Sequence, residues 1–502
     1  MSDELSYGEI GTHYKKFIAS SQVMVDFAIE TKDGKKIKKV LSIIADPKIT
    51  AVDAQNGEAV LNGRVNYKVL FVNEDEEVVS LDYFADYKDK IAAPEITPTS
   101  RLAAKTDVID VEIGGDGNVV VSLVIENSLY MIAQEAIPAL KDVADNYLGE
   151  RRKIFTQSYL DALISSTEIS DEVATGTNVS QVLMFDAAVA VDESVVGNGI
   201  ITINATVFAN VLYVNADGAF ENKQFAIPVT EEQQTVQGTD VRAFTDAVIK
   251  NTKVVLSGSE GNNIIRIEAI VQFDTTIIVT VEEEIVSDLF SVSNEITVKT
   301  EKFSASKFLE SAAFRDTVNG SVNLDESRPA VGEILACVGV VNKLAAVKPS
   351  GEKVIVEGVV GLTVIYKDID EVIDSVDIEI PYSIATKRPT MADESYRLEG
   401  KGAAGTVTVK RRRDRELDVS AELFFSIQAY GEDGVYVISD VVETETKKDV
   451  SAISVYNTAP GETLWDIAKA LSAPPEEILK QNGELVIPVK SPGRVLLYRC
   501  LE

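Results

Sequence analysis

A single histidine, His13, and two cysteines, Cys337 and Cys500, limit the chemistry open to this chain of 502 residues. His13 lies in a polar N-terminal segment with no second His or Cys beside it. Neither a zinc site nor a Ser-His-Asp triad assembles around it, and a surface histidine is expected. Cys337 and Cys500 sit in unlike contexts, which suits two buried or idle thiols better than the one bridge they could form. Carboxylates are abundant, 80 of them, so counting alone leaves a paired-carboxylate hydrolase open. The acidic runs Glu74 to Glu77 and Glu282 to Glu284 lack the alternating ligand spacing of a calcium loop and read as solvated faces. There is no phosphate loop and no Gly-x-Ser-x-Gly elbow. The expectation is a protein that is not an enzyme, with no catalytic residue, no metal and no cofactor.

Two further features invite a binding role. Lys410-Arg-Arg-Arg-Asp-Arg415 is a basic cluster in an acidic chain. It is too short, and too poor in aromatics, for a nucleic-acid patch. A solvated hairpin end is the plain reading. Arg411, Arg412 and Arg413 as a docking cluster for an acidic protein surface is the sharper one. Trp465 is the only tryptophan; packing within its own module weighs more than stacking on a ligand. A formal net charge of −32 argues against bare nucleic acid and against an anionic lipid surface. No apolar run approaches a membrane span, and the acidic start Met1-Ser-Asp-Glu lacks the pattern of a secretory signal, so a cytoplasmic protein is expected.

Positioning such residues requires elements, and the elements repeat. Gly63 to Phe71, Ala205 to Tyr213 and Gly358 to Tyr366 each run from a small residue through an apolar-rich strand to an aromatic. Each is followed by a polar turn, then by a second strand closing on Phe84, Phe225 and Ile380. Strand, polar turn, strand reads as a hairpin. A second set of anchors, Val143 to Tyr147, Val286 to Phe290 and Ile438 to Val442, keeps the same register: the first set is spaced by 142 and 153 residues, the second by 143 and 152. Segments such as Ile265 to Phe273 alternate apolar and polar, the mark of half-buried strands. Hydrophobic residues at 45% can supply a core to each unit. The fold class expected is mainly β: three antiparallel sandwich-like repeats in series, then a small βααβ module. The boundaries drawn are an N-terminal segment 1–34, repeats 35–165, 166–306 and 307–448, a linker at Lys447 to Ser451, and a module 449–502. Residues 131–165 also carry a helical signal, which the repeat register overrides.

In the terminal module, Ser454 to Asn457 reads as a strand and Pro460-Gly461 as a turn. Thr463 caps a helix from Leu464, with Asp466 completing a capping box. Leu464, Ile467, Ala468 and Leu471 share one helical face. A second helix starts near Pro475, with Glu476 and Glu477 at its positive end, and stops at Asn482-Gly483. Arg494 to Arg499 forms the last strand.

This order resembles the LysM domain, and the three β units resemble the SPOCS domain of sporulation proteins in endospore-forming Firmicutes. Three SPOCS units before one LysM is the layout of a clostridial family of coat-morphogenesis proteins. The resemblance implies a scaffold at the forespore surface in the mother-cell cytosol. Its LysM would dock the ATPase of the coat's basement layer and its SPOCS units other coat proteins; the second reading is a peptidoglycan-binding structural protein. Carried over by position, the LysM groove comprises Gly461, Glu462, Thr463, Leu464, Asn482 and Gly483. Glu462 stands where the family usually has Asp, Pro474 replaces a capping hydroxyl, and Tyr498-Arg499 replaces an Ile-Pro ending.

Overall fold

The computed structural model describes residues 5–31, 34–114, 119–144, 146–160, 162–236, 240–258, 261–387, 396–446 and 451–499. The linker residues 447–450 and Cys500 lie outside them; Cys337 is buried as a free thiol. The first unit shows how the sequence builds a sandwich. Strands β2 (Ile37–Gln55), β3 (Glu58–Asn73) and β4 (Val78–Ala92) form an antiparallel meander. Along β3, Val65, Tyr67, Val69 and Phe71 alternate onto one face. They meet Val121, Leu123 and Ile125 of a second sheet, ordered β1 (Ser6–Ala28), β6 (Val120–Asp142), β5 (Arg101–Gly114).

The pattern recurs twice. Strands β9 (Val179–Gly197), β10 (Ile200–Asn215) and β11 (Phe220–Gln234) pack on β12 (Val241–Ser257) and β13 (Ile264–Ser291). The long β13 pairs β8 (Leu163–Ala174) along its first half and β7 (Tyr147–Tyr159) along its second. Strands β15 (Val331–Ser350), β16 (Lys353–Asp368) and β17 (Ile373–Lys387) pack on β14 (Asn294–Asn323), β19 (Glu416–Thr446) and β18 (Arg397–Arg413). The segment set apart as N-terminal supplies β1, hydrogen-bonded along β6. Sheets change partners near 143–146 and 292–293, ahead of the boundaries at 165 and 306, because each sandwich takes an outer strand from the segment just after the preceding anchor. The described part of 131–165 is extended, its helical signal overridden by pairing with β1 and β13.

The three hairpin tips share one chemistry. Asn73, Asn215 and Asp368 are buried at matching places, and each side-chain oxygen accepts two backbone N–H groups, from residues two and four further on, at 2.8–3.0 Å. The third residue after each, Glu76, Gly218 and Glu371, has φ of 63°, 80° and 63°. Glycine is unstrained there; glutamate is held by the flanking bonds. A second match is steric. A Cβ on Gly63 would stand 2.2 Å from the Tyr87 ring, and one on Gly358 would stand 2.4 Å from the Tyr382 hydroxyl. In the second unit the cross-strand pair is Ala205 with Val229. The smaller partner makes room for the methyl.

In space the units do not form a series; they close on one another. Leu70, Leu212 and Ile365, on the middle strands and spaced like the anchors, meet in one buried cluster with Leu41, Leu183 and Ala336. A second cluster joins Ile10 and Ala139, Ile154 and Ile285, and Phe303 and Val437, two residues from each unit. Gln157 is the polar node between them. Its backbone N–H donates to the Thr12 hydroxyl at 3.1 Å, while its side-chain amide donates to Phe308 O at 2.7 Å and accepts from Phe308 N at 2.8 Å. His13, beside Thr12, is therefore half-buried rather than on an open surface. Burial and the Arg101 charge hold its pKa down, against a backbone hydrogen bond at Gln157. At the meander junction the Asp186 carboxylate accepts from Gly339 N at 2.9 Å. Burial pushes its pKa up to about 6, against the opposing pull of that N–H and of Lys68.

Two outcomes follow. Gly63→Ala should lower the urea midpoint by the equivalent of about 1–3 kcal/mol, and less in a Tyr87→Val background; equal costs in both backgrounds would exclude the steric account. A carboxyl with a raised folded pKa stabilises the fold while protonated, and loses that contribution as pH rises from the usual carboxylate range through about 6. Asp186→Asn should therefore gain melting temperature relative to the parent as pH goes from 4 to 7. A constant difference would rule out this titration.

Candidate functional site

Residues 451–499 fold around an apolar cluster that also takes in Phe290 of β13. Strand β20 (Ile453–Thr458) pairs antiparallel with β21 (Gly493–Tyr498), and helices α1 (Leu464–Leu471) and α2 (Pro475–Gln481) lie between them in sequence. Ile467, Ala468, Leu471, Ile478, Val495 and Leu497 form the centre, with Leu464 half-buried against it.

Each helix end has a local cause. The Thr463 hydroxyl accepts from Asp466 N at 3.2 Å, and the Asp466 carboxylate accepts from Thr463 N at 2.8 Å. That bond, first among its causes, holds the Asp466 carboxyl below the usual range. Helix α1 ends at Ser472 in the left-handed region, φ 48°. The Arg499 guanidinium donates to Leu471 O and, at 2.8 Å, to the Ser454 hydroxyl, so this departure from the LysM ending closes the C-terminus of α1. Helix α2 starts with Pro475 and receives no side-chain cap from Pro474.

The six groove residues lie in two places. Gly461, Glu462, Thr463 and Leu464 are contiguous on the strand–helix loop, where Gly461 has φ 94°. Gly461 N donates to Val489 O at 2.8 Å and Val489 N to Glu462 O at 3.0 Å, so two backbone bonds join this loop to the one after α2. The Glu462 carboxylate accepts from the Tyr456 hydroxyl at 2.7 Å and from Ala459 N at 2.8 Å. Asn482 serves β21 instead: its amide donates to Leu496 O at 2.7 Å and accepts from Leu496 N at 3.0 Å. Gln481 does the same for Tyr498, at 3.0 and 2.7 Å. The two amides satisfy the outer edge of β21, where a neighbouring strand would pair. Gly483 is exposed beyond Asn482.

Two features went unnoticed in the sequence. On the outer face of the β20–β21 pair, Ile453 stands across from Tyr498 and Val455 across from Leu496. All four are open to solvent, at 57%, 55%, 56% and 38%. The run Val495-Leu-Leu-Tyr498 carried the signal, since four apolar residues in one strand make both faces apolar. The second is where Trp465 goes: its indole N–H donates at 2.9 Å to Asp288 of β13.

The other candidates are internally engaged. Arg411 donates to Val331 O at 2.7 Å, and Arg412 and Arg413 face Glu416 at 2.9 and 3.5 Å across the β18–β19 hairpin end. In the first acidic turn Lys35 contacts Asp75 and Glu77, at 2.8 and 2.9 Å. Glu282 pairs with Lys153 at 2.6 Å, and Glu283 with Lys141. Among the described residues no group of three or more His, Cys, Asp or Glu could hold a metal ion, and no helix is long and apolar enough to cross a membrane.

With this geometry in hand, comparison with known proteins adds one finding. Residues 36–114 match the family model described as SipL, SPOCS domain. The match covers β2 to β5, the first meander and the edge strand opposite it. A SPOCS domain in the first unit points to a sporulation-related role and to a SipL-like family. No curated protein and no solved structure matches the chain.

Asn482→Ala removes both side-chain bonds to Leu496 at a partly solvated edge, which should cost the module about 1 kcal/mol. Amide exchange at Leu496 should accelerate while that in β3 and β10 stays unchanged. An unaltered rate at Leu496 would show that the amide does not support the edge.

Proposed function

We propose that this chain is a non-enzymatic scaffold of spore-coat assembly, and that its C-terminal module is a LysM-type fold that docks a protein of the coat's basement layer. The single observation that carries the docking reading is the outer face of β20–β21. Ile453, Val455, Leu496 and Tyr498 form a cross-strand apolar patch on a small module whose own core is complete without them. A contiguous apolar face of this kind suits burial against a protein surface.

The occupant we assign is the basement-layer ATPase, which the three-SPOCS-plus-LysM layout implies. The SPOCS match at residues 36–114 supports the sporulation setting. The three β units would meet other coat proteins at the forespore surface, on the mother-cell side. The basic hairpin end at Arg412 and Arg413, with side chains 56% and 78% exposed, offers an acidic partner a secondary contact.

Peptidoglycan is the competing ligand. Sugar recognition needs free donors and acceptors in the groove. Here Gly461 N, Glu462 O and the Glu462 carboxylate are taken by Val489, Tyr456 and Ala459, and the Asn482 amide by Leu496. A glycan would have to displace bonds that hold the module together, which favours protein over sugar.

The test is capture of the purified ATPase by the full chain, with sedimentation on peptidoglycan in parallel. Val455→Glu combined with Leu496→Glu should weaken capture about tenfold or more, the effect of losing two apolar anchors, while the melting temperature holds. Leu464 is the wrong residue to change, because it packs on the module's core. Undiminished capture by the double variant, or strong peptidoglycan retention without ATPase binding, would overturn the proposal.

A further inference from the structure

The C-terminal module follows the third unit in sequence yet rests on the second. Strand register makes this reachable. Thr446 at the end of β19 pairs with Asn294 at the start of β14, three residues past the end of β13 at Ser291. The chain therefore leaves the third unit beside the tip of the second unit's longest strand.

On that tip, Asp288 and Phe290 receive one face of α1. Trp465 and Lys469, four residues apart, project together. The indole N–H reaches Asp288 Oδ2 at 2.9 Å, and the Lys469 ammonium reaches Oδ1 and Oδ2 at 2.6 and 2.7 Å. The Phe290 ring lies 5.1 Å from the indole, centroid to centroid, and Leu148 of β7 packs into the same cluster. The corresponding end of the third unit reads Asp440-Val-Val442, with Val442 exposed and no ring. The first unit's anchor carries a ring at the matching place, Tyr147, but that ring is buried in the junction among units and its hydroxyl donates to Glu443. Phe290 is the anchor ring that meets the indole.

We propose that Asp288 and Phe290 are the receptor of a reversible latch, which clamps the Trp465–Lys469 face of α1 against the second unit. Its meaning rests on the docking role given to the β20–β21 face: the latch fixes the angle at which that face is presented. The latch itself is read from this chain alone. Its strength is modest by construction. Asp288 and Lys469 keep 30% and 46% of their side chains in water, so their attraction is small and screened by salt. The indole–phenyl contact and the burial of Phe290, 3% exposed, add to it. Ionic strength shifts the balance between closed and open arrangements through the ion pair.

Trp465 is the only tryptophan, so its fluorescence reports the latch in the full-length protein. Acrylamide is the suitable quencher, since it carries no charge that a chain of −32 would repel. Asp288→Ala and Lys469→Ala should each red-shift the emission and raise the quenching slope, the closed-to-open ratio falling about two- to fivefold. Added salt should move the parent toward the variants and leave Lys469→Ala unresponsive. Lys469 lies outside the second unit, so its replacement cannot act by unfolding β13. Unchanged emission and quenching in Lys469→Ala, or a salt response equal to the parent's, would overturn the latch. Because the assay contains no partner, its failure is read separately from any failure of ATPase capture.

Discussion

Burial of the middle strands on both faces is the constraint on which the rest of this structure depends. In β3, β10 and β16 the last turns of the pleat carry Val69-Leu-Phe71, Val211-Leu-Tyr213 and Val364-Ile-Tyr366 without a polar interruption. The first and third residues of each triplet face their own sandwich, while the second faces the other two units. A sheet with one wet face needs alternation; a sheet covered on both sides reads as a continuous apolar run. Once those runs exist, a sandwich standing alone would leave Leu70, Leu212 or Ile365 in water. Closing three units on one another removes that cost.

The closure also places the polar groups. Gln157 and Asp186 lie between units, where a lone amide or carboxylate would be expensive, and each is matched by partners from another unit. Phe308 contributes both its ring and its backbone to this junction. On the outer surface acids and bases meet across strands, as Arg64 and Asp86 do at 2.6 Å. Like-signed carboxylates are spread over solvent-facing strands, so a net charge of −32 need not oppose the packing.

How far the sequence led depended on which physical signal each feature leaves. The recurring hairpins were legible because turn and strand must be spelled locally: a side-chain acceptor at Asn73, Asn215 or Asp368 and a small residue at Gly63, Ala205 or Gly358. Thr463 and Asp466 were legible for the same reason. The division at 143–146 was not, because β1 and β7 are alternating strands with no label naming the sheet they join. Unit closure left its trace in the uninterrupted triplets, which read as apolar-rich strands but carried a statement about both faces. In the module, the position-by-position carry-over pointed to Asn482, whose amide instead completes β21, and passed over Ile453 and Val455, whose exposure appears only once register pairs them with Tyr498 and Leu496.

The second set of anchors shows how one recurrent motif can acquire a new task. Val286-Ser-Asp-Leu-Phe290 keeps Val286 and Leu289 in the junction among units, beside Leu140 and Ile438. That packing fixes the backbone of β13 at its tip. A bulge between Val286 and Asp288 then turns the carboxylate outward from the ladder. In the third unit Val441 takes up the same kind of packing, and Asp440 is left without an aromatic neighbour two residues on. A motif held in place for closure therefore offers, at one of its copies, a rigid acid and a ring on adjacent outward positions. A helix with a cation and an indole four residues apart is complementary to that pair. In the first unit the matching ring, Tyr147, is turned into the junction and its hydroxyl donates to Glu443, and the third unit has no ring there, so the second unit is the one that offers acid and ring together to the terminal module.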